Sequence, residues 1–410
     1  MTNKAVKKET QVETNESEEG KEILKRVTDK MASAVAKVKE TKNGRVTQIY
    51  NMKKVVSGSK KSTNEAQAIR DPETGDLVVS NAEIKRVSLE YCLKTLENNE
   101  PEENAKELIK LKEEVHRLRM NTKEEDEEAI ITDEDYFMTL AKFESKNSTT
   151  YDFITKAGIR FKLAFFKLCK RFIYSESFPS RFNLTTLIQI PKQGSAQWLE
   201  NFRFLHIKEW AAQLVEALTV RGMKSEIFSA GTQFQIGGCP GQRTAFHLFV
   251  IKSLIALKLK LGQALFLTLL DIIKYFDKQS LVDACDALNT AKANRKLVRV
   301  WYKLNEHTEI QVQLGGGCMS ARGLAGPCTG QGGSGAALAS ALNLDLGVNT
   351  YFCGSKDEDN YGKVRLQPLS FVDDLIRANP DMNSMRAGNW KFSSLAAEKQ
   401  LQYHPKNQAI

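Results

Sequence analysis

Two apolar segments of this chain end in carboxylates, and that pairing restricts its fold and chemistry more than any other feature. Residues 264–270 (Ala-Leu-Phe-Leu-Thr-Leu-Leu) have the length and composition of a buried strand and run directly into Asp271. Residues 369–375 (LSFVDDL) set Asp373 and Asp374 between apolar flanks, as at the tip of a hairpin. A bare charge at the end of a buried strand is costly, so strand ends of this kind call for a partner. Brought side by side they would form a cluster of acidic oxygens with few compensating cations in the local sequence. Such a cluster suits one or two Mg²⁺ ions, which take carboxylate oxygens and keep positions open for substrate phosphates. The implied chemistry is nucleotidyl transfer. An Asp-Asp pair is also an ordinary turn sequence, so the weight rests on its surroundings.

Between the two acidic segments lies a third, GPCTGQGGSGAALASALNLDLGV (326–348), a glycine-rich turn leading into small residues with helical propensity. The order of strand with Asp, Gln-Gly turn with helix, and Val-Asp-Asp hairpin resembles the palm of reverse transcriptases of the non-LTR retrotransposon and group II intron type. The first palm motif stands as Asp271-Ile-Ile-Lys274-Tyr-Phe276-Asp277, the second carries Gln331-Gly332, and the third is Phe371-Val372-Asp373-Asp374. Upstream, LIQIPKQG and ENFRFLHI resemble the finger segment, with matches at Pro191, Lys192, Asn201 and Arg203; GTQFQIGGCPGQRT resembles the Gln-x-Gly-Phe stretch before the palm, at Gln233 through Gly238. LQYHPKN resembles the fourth palm motif, whose lysine would be Lys406. The likeness covers about residues 180–410 well and 65–130 loosely.

The resemblance implies an α+β right-hand polymerase fold of fingers and palm, with an antiparallel palm sheet backed by helices and a helical N-terminal extension. Asp271, Asp373 and Asp374 would be the catalytic carboxylates and would hold two Mg²⁺ ions, with Mn²⁺ able to substitute. Neighbouring strand residues point to opposite faces, so Asp373 is expected as direct ligand and Asp374 as second ligand or orienter. Lys192 and Arg203 would hold the triphosphate, where the rigid guanidinium fork suits phosphate oxygens. Phe276 would be the steric gate beneath the sugar, favouring dNTPs over rNTPs. Gln331 and Gly332 would let the backbone approach the template and incoming base, and Lys406 would protonate pyrophosphate. The implied partners are an RNA template, a DNA primer and dNTPs; the oligomeric state is left open.

Each residue also has a plainer reading. Asp277 reads first as a helix N-cap after the strand, Lys192 as a solvated loop charge, and Lys406 as a frayed near-terminal lysine. Gly330-Gln-Gly332-Gly-Ser-Gly335 matches G-x-G-x-x-G, but a dinucleotide fold needs a buried strand immediately before the glycines. The preceding GGGCMSARGLAGPCT, with Pro327 and many small residues, does not supply one. RNA-directed RNA synthesis also uses an Asp-Asp hairpin, yet it predicts a small or polar residue where Phe276 sits.

Composition sets outer bounds. A chain of 410 residues with 41% hydrophobic content can bury a core, and a net charge of +9 with pI near 9.0 suits a polyanionic partner. Seven scattered cysteines without a C-x-x-C spacing read as reduced thiols of an intracellular protein, with a nuclear location open. The N-terminus lacks an apolar stretch, and Lys252, Lys258 and Lys260 interrupt the most apolar region, so no membrane association is expected. Residues 1–65 read as a disordered polar tail, 66–175 as a helical extension, 176–250 as fingers-like and 251–410 as palm-like. Within the extension, Ser80-x-x-Glu83 predicts a helix N-cap, and Leu108, Leu111, Val115 and Leu118 recur at heptad-like spacing. The cations and aromatics of residues 161–174 fit a nucleic-acid stacking pattern but read first as an amphipathic core helix with snorkelling lysines. The chain departs from the family at Phe204, where Pro is usual, and at Asn407, where Ser or Thr is usual. It ends 36 residues after Asp374, so the resemblance predicts a palm without primer grip or thumb, and a catalytically silent nucleic-acid-binding remnant is the alternative.

Overall fold

The computed structural model describes residues 68–96, 131–144, 156–192, 197–239, 242–314, 318–326, 328–352, 359–361 and 364–403. The heptad-like leucines at 108–118 and Lys406 lie outside them. The described residues form a mixed α+β protein that divides into two compact units.

The smaller unit spans Ile131–Leu168. Helix α2 (Asp133–Glu144) is capped by Thr132, whose hydroxyl accepts from the Asp135 N–H at 3.1 Å. Tyr136 stacks on Phe166 at 4.5 Å between ring centroids, which ties α2 to the start of α3 (Ile159–Ser175). Lys162 and Phe166 are both buried on one face of α3, whereas Lys167 and Arg171 are exposed, so Lys162 does not snorkel as expected.

Among its described residues the larger unit holds a four-stranded sheet, a three-stranded sheet and two two-stranded hairpins. A hairpin of β1 (Ile69–Arg70) and β2 (Leu77–Val78) leads to α1 (Asn81–Leu96). Ser80 caps α1: its Oγ accepts from Glu83 N–H at 3.2 Å and donates to the Glu83 carboxylate at 3.0 Å. Ile84, Val87, Cys92 and Leu96 bury one face of α1 against a four-stranded sheet ordered β4-β3-β6-β7. Here β3 (Leu184–Pro191) and β4 (Phe202–Lys208) are antiparallel, while β6 (Glu309–Gln313) runs parallel to β3 and carries the short β7 (Gly323–Leu324). Alternate residues Thr185, Leu187, Phe204 and His206 are buried, whereas Ile190 and Ile207 stay exposed, the period of two of a half-covered sheet. The finger-like strands therefore recruit β6 and β7 from the region read as palm.

The second sheet, ordered β10-β11-β5, is antiparallel throughout and built from β5 (Phe266–Leu270), β10 (Leu369–Phe371) and β11 (Asp374–Asn379). Between the two sheets in sequence lie α4 (Trp210–Gly222), α5 (Lys224–Ala230) and α6 (Thr244–Lys260); α7 (Tyr275–Lys278), α8 (Leu281–Thr290) and α9 (Arg295–Lys303) follow β5. Helix α10 (Ala336–Phe352) precedes a hairpin of β8 (Asp359–Tyr361) and β9 (Val364–Leu366), and α11 (Met382–Glu398) follows β11. Leu375 of β11 packs with Leu344, Val348 and Phe352 of α10 and with Phe392 and Leu395 of α11. Arg377 reaches past β11 to donate to Ser384 C=O at 2.9 Å and lies over the Phe352 ring. Its guanidinium occupies the space a Cβ at Gly388 would fill, so glycine is what lets α11 sit against the strand.

Candidate active site

The acidic hairpin forms as its sequence suggests. Phe371 pairs with Asp374, which leaves Val372 and Asp373 as a two-residue turn. Val372 adopts φ 62°, a left-handed conformation that is costly for a β-branched residue and is ordinarily given to glycine at this hairpin position. A strained residue persists only where its surroundings over-determine it, and Gln235 supplies that support. The buried Gln235 amide accepts from Val372 N–H at 2.9 Å and donates to Val372 C=O at 3.1 Å. The same Oε1 accepts from Gly237 N–H at 2.9 Å. Backbone bonds from Ile236 N–H to Ser370 C=O (3.1 Å) and from Ser370 N–H to Phe234 C=O (2.9 Å) lay this segment along β10. A Cβ on Gly237 would collide with Val372 N and Cγ2, so the Gln-x-Gly spacing is a clamp on the turn.

Strand register sets the carboxylates against one another. Leu375 pairs with Leu270, so one step further Asp374 stands across from Asp271, on the face that carries Ile376 and the exposed Leu269 rather than the face that buries Leu375 and Arg377. Among the described residues no lysine or arginine makes an ion pair with Asp271, Asp373 or Asp374. Burial pushes the Asp373 carboxyl up to about 6; its own backbone hydrogen bond opposes the rise, the charges of Asp374 and Asp271 add to it, and Arg203 offsets part. Asp374 is raised too, by burial and then by Asp271, again with Arg203 opposing. Closely set carboxylates without an ion-pairing cation are the donor chemistry for a hard, oxygen-seeking cation such as Mg²⁺. Among the described residues no three acidic, histidine or cysteine side chains converge closely enough to enclose a metal; the fit is that of a cross-strand pair with a third carboxylate beside it.

Cations gather beside this acidic edge. Ile190 pairs with Arg203, and Lys192 N–H continues the ladder to Asn201 C=O at 2.6 Å. Lys192 and Arg203 therefore share one face of the open end of the β3–β4 hairpin, both exposed. Partial burial, followed by the charges of Lys274 and Arg203, lowers the Lys192 ammonium pKa, with Asp277 and Asp271 opposing. Three cations thus crowd one locality next to the acidic strand end, an arrangement that favours an anion between them. Lys274, at φ 47°, turns the chain from β5 into α7. Its ammonium donates to Tyr91 Oη at 2.9 Å and Thr95 Oγ1 at 3.1 Å, both on α1, and lies 4.6 Å from the Tyr91 ring centroid. Burial lowers the Lys274 pKa, with Asp277 opposing, and burial raises the Tyr91 phenol to about 12.

The glycine-rich turn is stitched to both neighbours. Phe276, half-buried in α7, presents its carbonyl to Gly330 N–H at 3.2 Å and Thr329 Oγ1 at 3.1 Å. His206 N–H donates to Gln331 C=O at 2.7 Å, and a Cβ on Gly332 (φ 118°) would lie 2.9 Å from His206 O. The close backbone approach at Gly332 is thus made to β4. Asp277 departs from its N-cap reading: Lys274, three residues earlier, occupies the cap of α7 without a side-chain cap bond, and the Asp277 carboxylate faces His206 Nε2 at 3.6 Å. Nor do the glycines after Cys328 follow a buried strand; the strand nearest before them among the described residues is the two-residue β7.

The structure therefore brings together Asp271, Asp373, Asp374, Lys192 and Arg203, and links Phe276 to the Gln331-Gly332 turn through the backbone. Two contributions escaped the sequence reading. The Gln-x-Gly spacing signals Gln235, although nothing local shows what it holds. Tyr91 and Thr95 carry no signal, since their partner Lys274 is 183 and 179 residues away. No helix among the described residues is long and apolar enough to cross a membrane.

No family model matches the chain, and no curated protein does. Among solved structures, it is similar to apo telomerase from Candida tropicalis truncated from its C-terminal domain, with TM-score 0.42 and 11% identity over 61% of this chain and 55% of that one. It is similar also to telomerase from Candida albicans in complex with a fragment of telomeric RNA, with TM-score 0.39 and 12% identity over 60% and 45% of the two chains. The corresponding C. tropicalis complex gives TM-score 0.43 and 11% identity over 61% and 44%. This chain spans about half the length of these structures.

Proposed function

We propose that this chain carries the fingers and palm of an RNA-directed DNA polymerase of the non-LTR retrotransposon or group II intron type, adding dNTPs to a primer 3′-hydroxyl. The observation that carries the reading is the register that sets Asp374 across from Asp271, with Asp373 in the adjoining turn and Arg203 felt by both turn carboxylates.

In this reading Asp271, Asp373 and Asp374 hold divalent metal, Mg²⁺ or Mn²⁺. Bound there, two such ions supply charge neutralisation for the attacking and leaving oxygens of phosphoryl transfer. Lys192 and Arg203 grip the triphosphate, and Lys274 adds positive potential behind them while α1 fixes its position. Phe276 closes the space a 2′-hydroxyl would need. The Gln331-Gly332 turn, anchored on His206 and Phe276, offers a preset surface to the template base. Lys406 takes the part of the acid that protonates pyrophosphate. The protein's share of the rate is positioning and preorganised charge.

The test is extension of a DNA primer on an RNA template by the purified chain, with Mg²⁺ and either dNTPs or rNTPs. Template-dependent addition of dNTPs alone supports the reading. Addition of rNTPs with equal ease refutes the DNA-polymerase assignment, and retained primer-template binding without addition identifies a silent palm that only binds nucleic acid.

A further inference from the structure

Beside the clamp on the acidic hairpin, and lined in part by Gln235 and Gly237, lies a cavity of 490 Å³ that the polymerase reading leaves without a role. Its walls include Ile227 and Phe228 of α5, Leu338 and Leu342 of α10, the Cys239 thiol and the Asp345 carboxylate. The volume is that of a site for a small organic molecule. Asp345 gives the cavity its chemical character. Only 2% of it is exposed, and its oxygens accept from Thr232 N–H and Thr232 Oγ1, each at 2.6 Å. Both donors are neutral, and no cation among the described residues pairs with it. A carboxylate has about four acceptor positions, so two bonds leave capacity unused. A buried carboxylate without a counter-charge is costly, and burial raises the Asp345 pKa.

We infer that this cavity binds a small organic cation, an aromatic or aliphatic body seated against Phe228, Leu338 and Leu342 with its ammonium or amidinium against Asp345, and that its occupancy is transmitted to the Asp373 turn. The route is short. Gln235 and Gly237 line the cavity and are the residues that hold Val372. An occupant that immobilises Gln235 immobilises the turn; one that displaces it releases Val372 from its left-handed conformation. The inference is independent of the polymerase reading, because neither the cavity nor the clamp requires catalysis.

The test uses two probes of one shape, 2-naphthylmethylamine and 2-naphthylmethanol. Their binding to the full chain is measured by titration calorimetry and by protection of Cys239 from N-ethylmaleimide, with exposed Cys318 as internal reference. The amine is expected to bind at least tenfold more tightly than the alcohol and to slow Cys239 modification several-fold without affecting Cys318. Asp345→Asn is expected to abolish the preference for the amine, and Leu338→Trp, which fills the cavity, to abolish binding of both. Hydrogen exchange in residues 369–375 is expected to change by several-fold when the amine is bound. Equal binding of the two probes to the wild type overturns the cation assignment, and binding of neither, by calorimetry, overturns the site. Tight amine binding that leaves exchange at 369–375 unaltered overturns the coupling to the turn.

Discussion

Replacing Asp373 with Asn isolates the electrostatic cost of the acidic edge. In the folded chain the Asp373 carboxyl titrates near 6 rather than 3.8, so the native state binds this proton more tightly than the unfolded chain does. Stability therefore falls as pH rises from about 4 to about 6, and the full cost is present above that window. At about 1.4 kcal/mol for each tenfold in proton affinity, the rise corresponds to about 3 kcal/mol at pH 8 and roughly half of that at pH 5. Asn keeps the shape and lacks the charge. Asp373→Asn is thus expected to stabilise the metal-free chain, by up to about 3 kcal/mol at pH 8 and by about half as much at pH 5. Urea unfolding of both proteins at the two pH values in EDTA measures this, with unchanged m-values showing that the unfolding transition is the same. Added Mg²⁺ should close the gap at pH 8 by stabilising the wild type alone, since a ligand that binds only the native state raises its stability. An Asn variant that is less stable, or a gap that does not depend on pH, would refute a net electrostatic cost at Asp373.

Gln235→Leu strips the part-buried Val372 N–H and C=O and the buried Gly237 N–H of their partner, at a cost of up to about 1–3 kcal/mol for each group left unpaired. Nucleotide addition should fall at least tenfold while primer-template affinity, read by filter binding, is retained. Arg203→Ala removes a charge that lowers the pKa of both turn aspartates, so the acid limb of the pH–rate profile should move to higher pH while the KM for dNTP rises about tenfold, the worth of roughly one charge-assisted hydrogen bond. Phe276→Ala should leave dNTP addition measurable and admit rNTPs, and single-nucleotide competition between dGTP and rGTP decides it. Lys274→Met keeps the buried stem without the charge, so melting temperature should hold within a few degrees while triphosphate affinity, from fluorescent-nucleotide titration, declines.

What the sequence makes legible is chemistry carried by short patterns. The run 264–270 leading into Asp271 becomes β5, LSFVDDL becomes a hairpin with Asp373 in its turn, and Ser80-x-x-Glu83 caps α1, because each pattern contains its own physical reason. What it hides depends on register and on contacts between distant segments. Nothing in Glu309–Gln313 says that β6 lies parallel to β3 rather than beside β5. The partner of Asp271 follows from the pairing of Leu375 with Leu270, which a one-residue slip would turn to the other face. Likewise Asp277 is a reasonable cap by residue type, yet the left-handed turn at Lys274 starts the helix early and delivers Asp277 to His206. Gln235 stands in a recognisable spacing, while its function as a clamp exists only once Val372 is folded back upon it.

The most direct test of the carboxylate edge is single-nucleotide addition to a DNA primer on an RNA template by the wild type and by Asp271→Asn, Asp373→Asn and Asp374→Asn, each first shown to be folded by circular dichroism. A catalytic role for this edge requires Mg²⁺-dependent addition of a dNTP by the wild type, and loss of about three orders of magnitude or more, about 4 kcal/mol of barrier, in the Asp271 and Asp373 variants. Addition that survives in those two variants at near wild-type rate would contradict it.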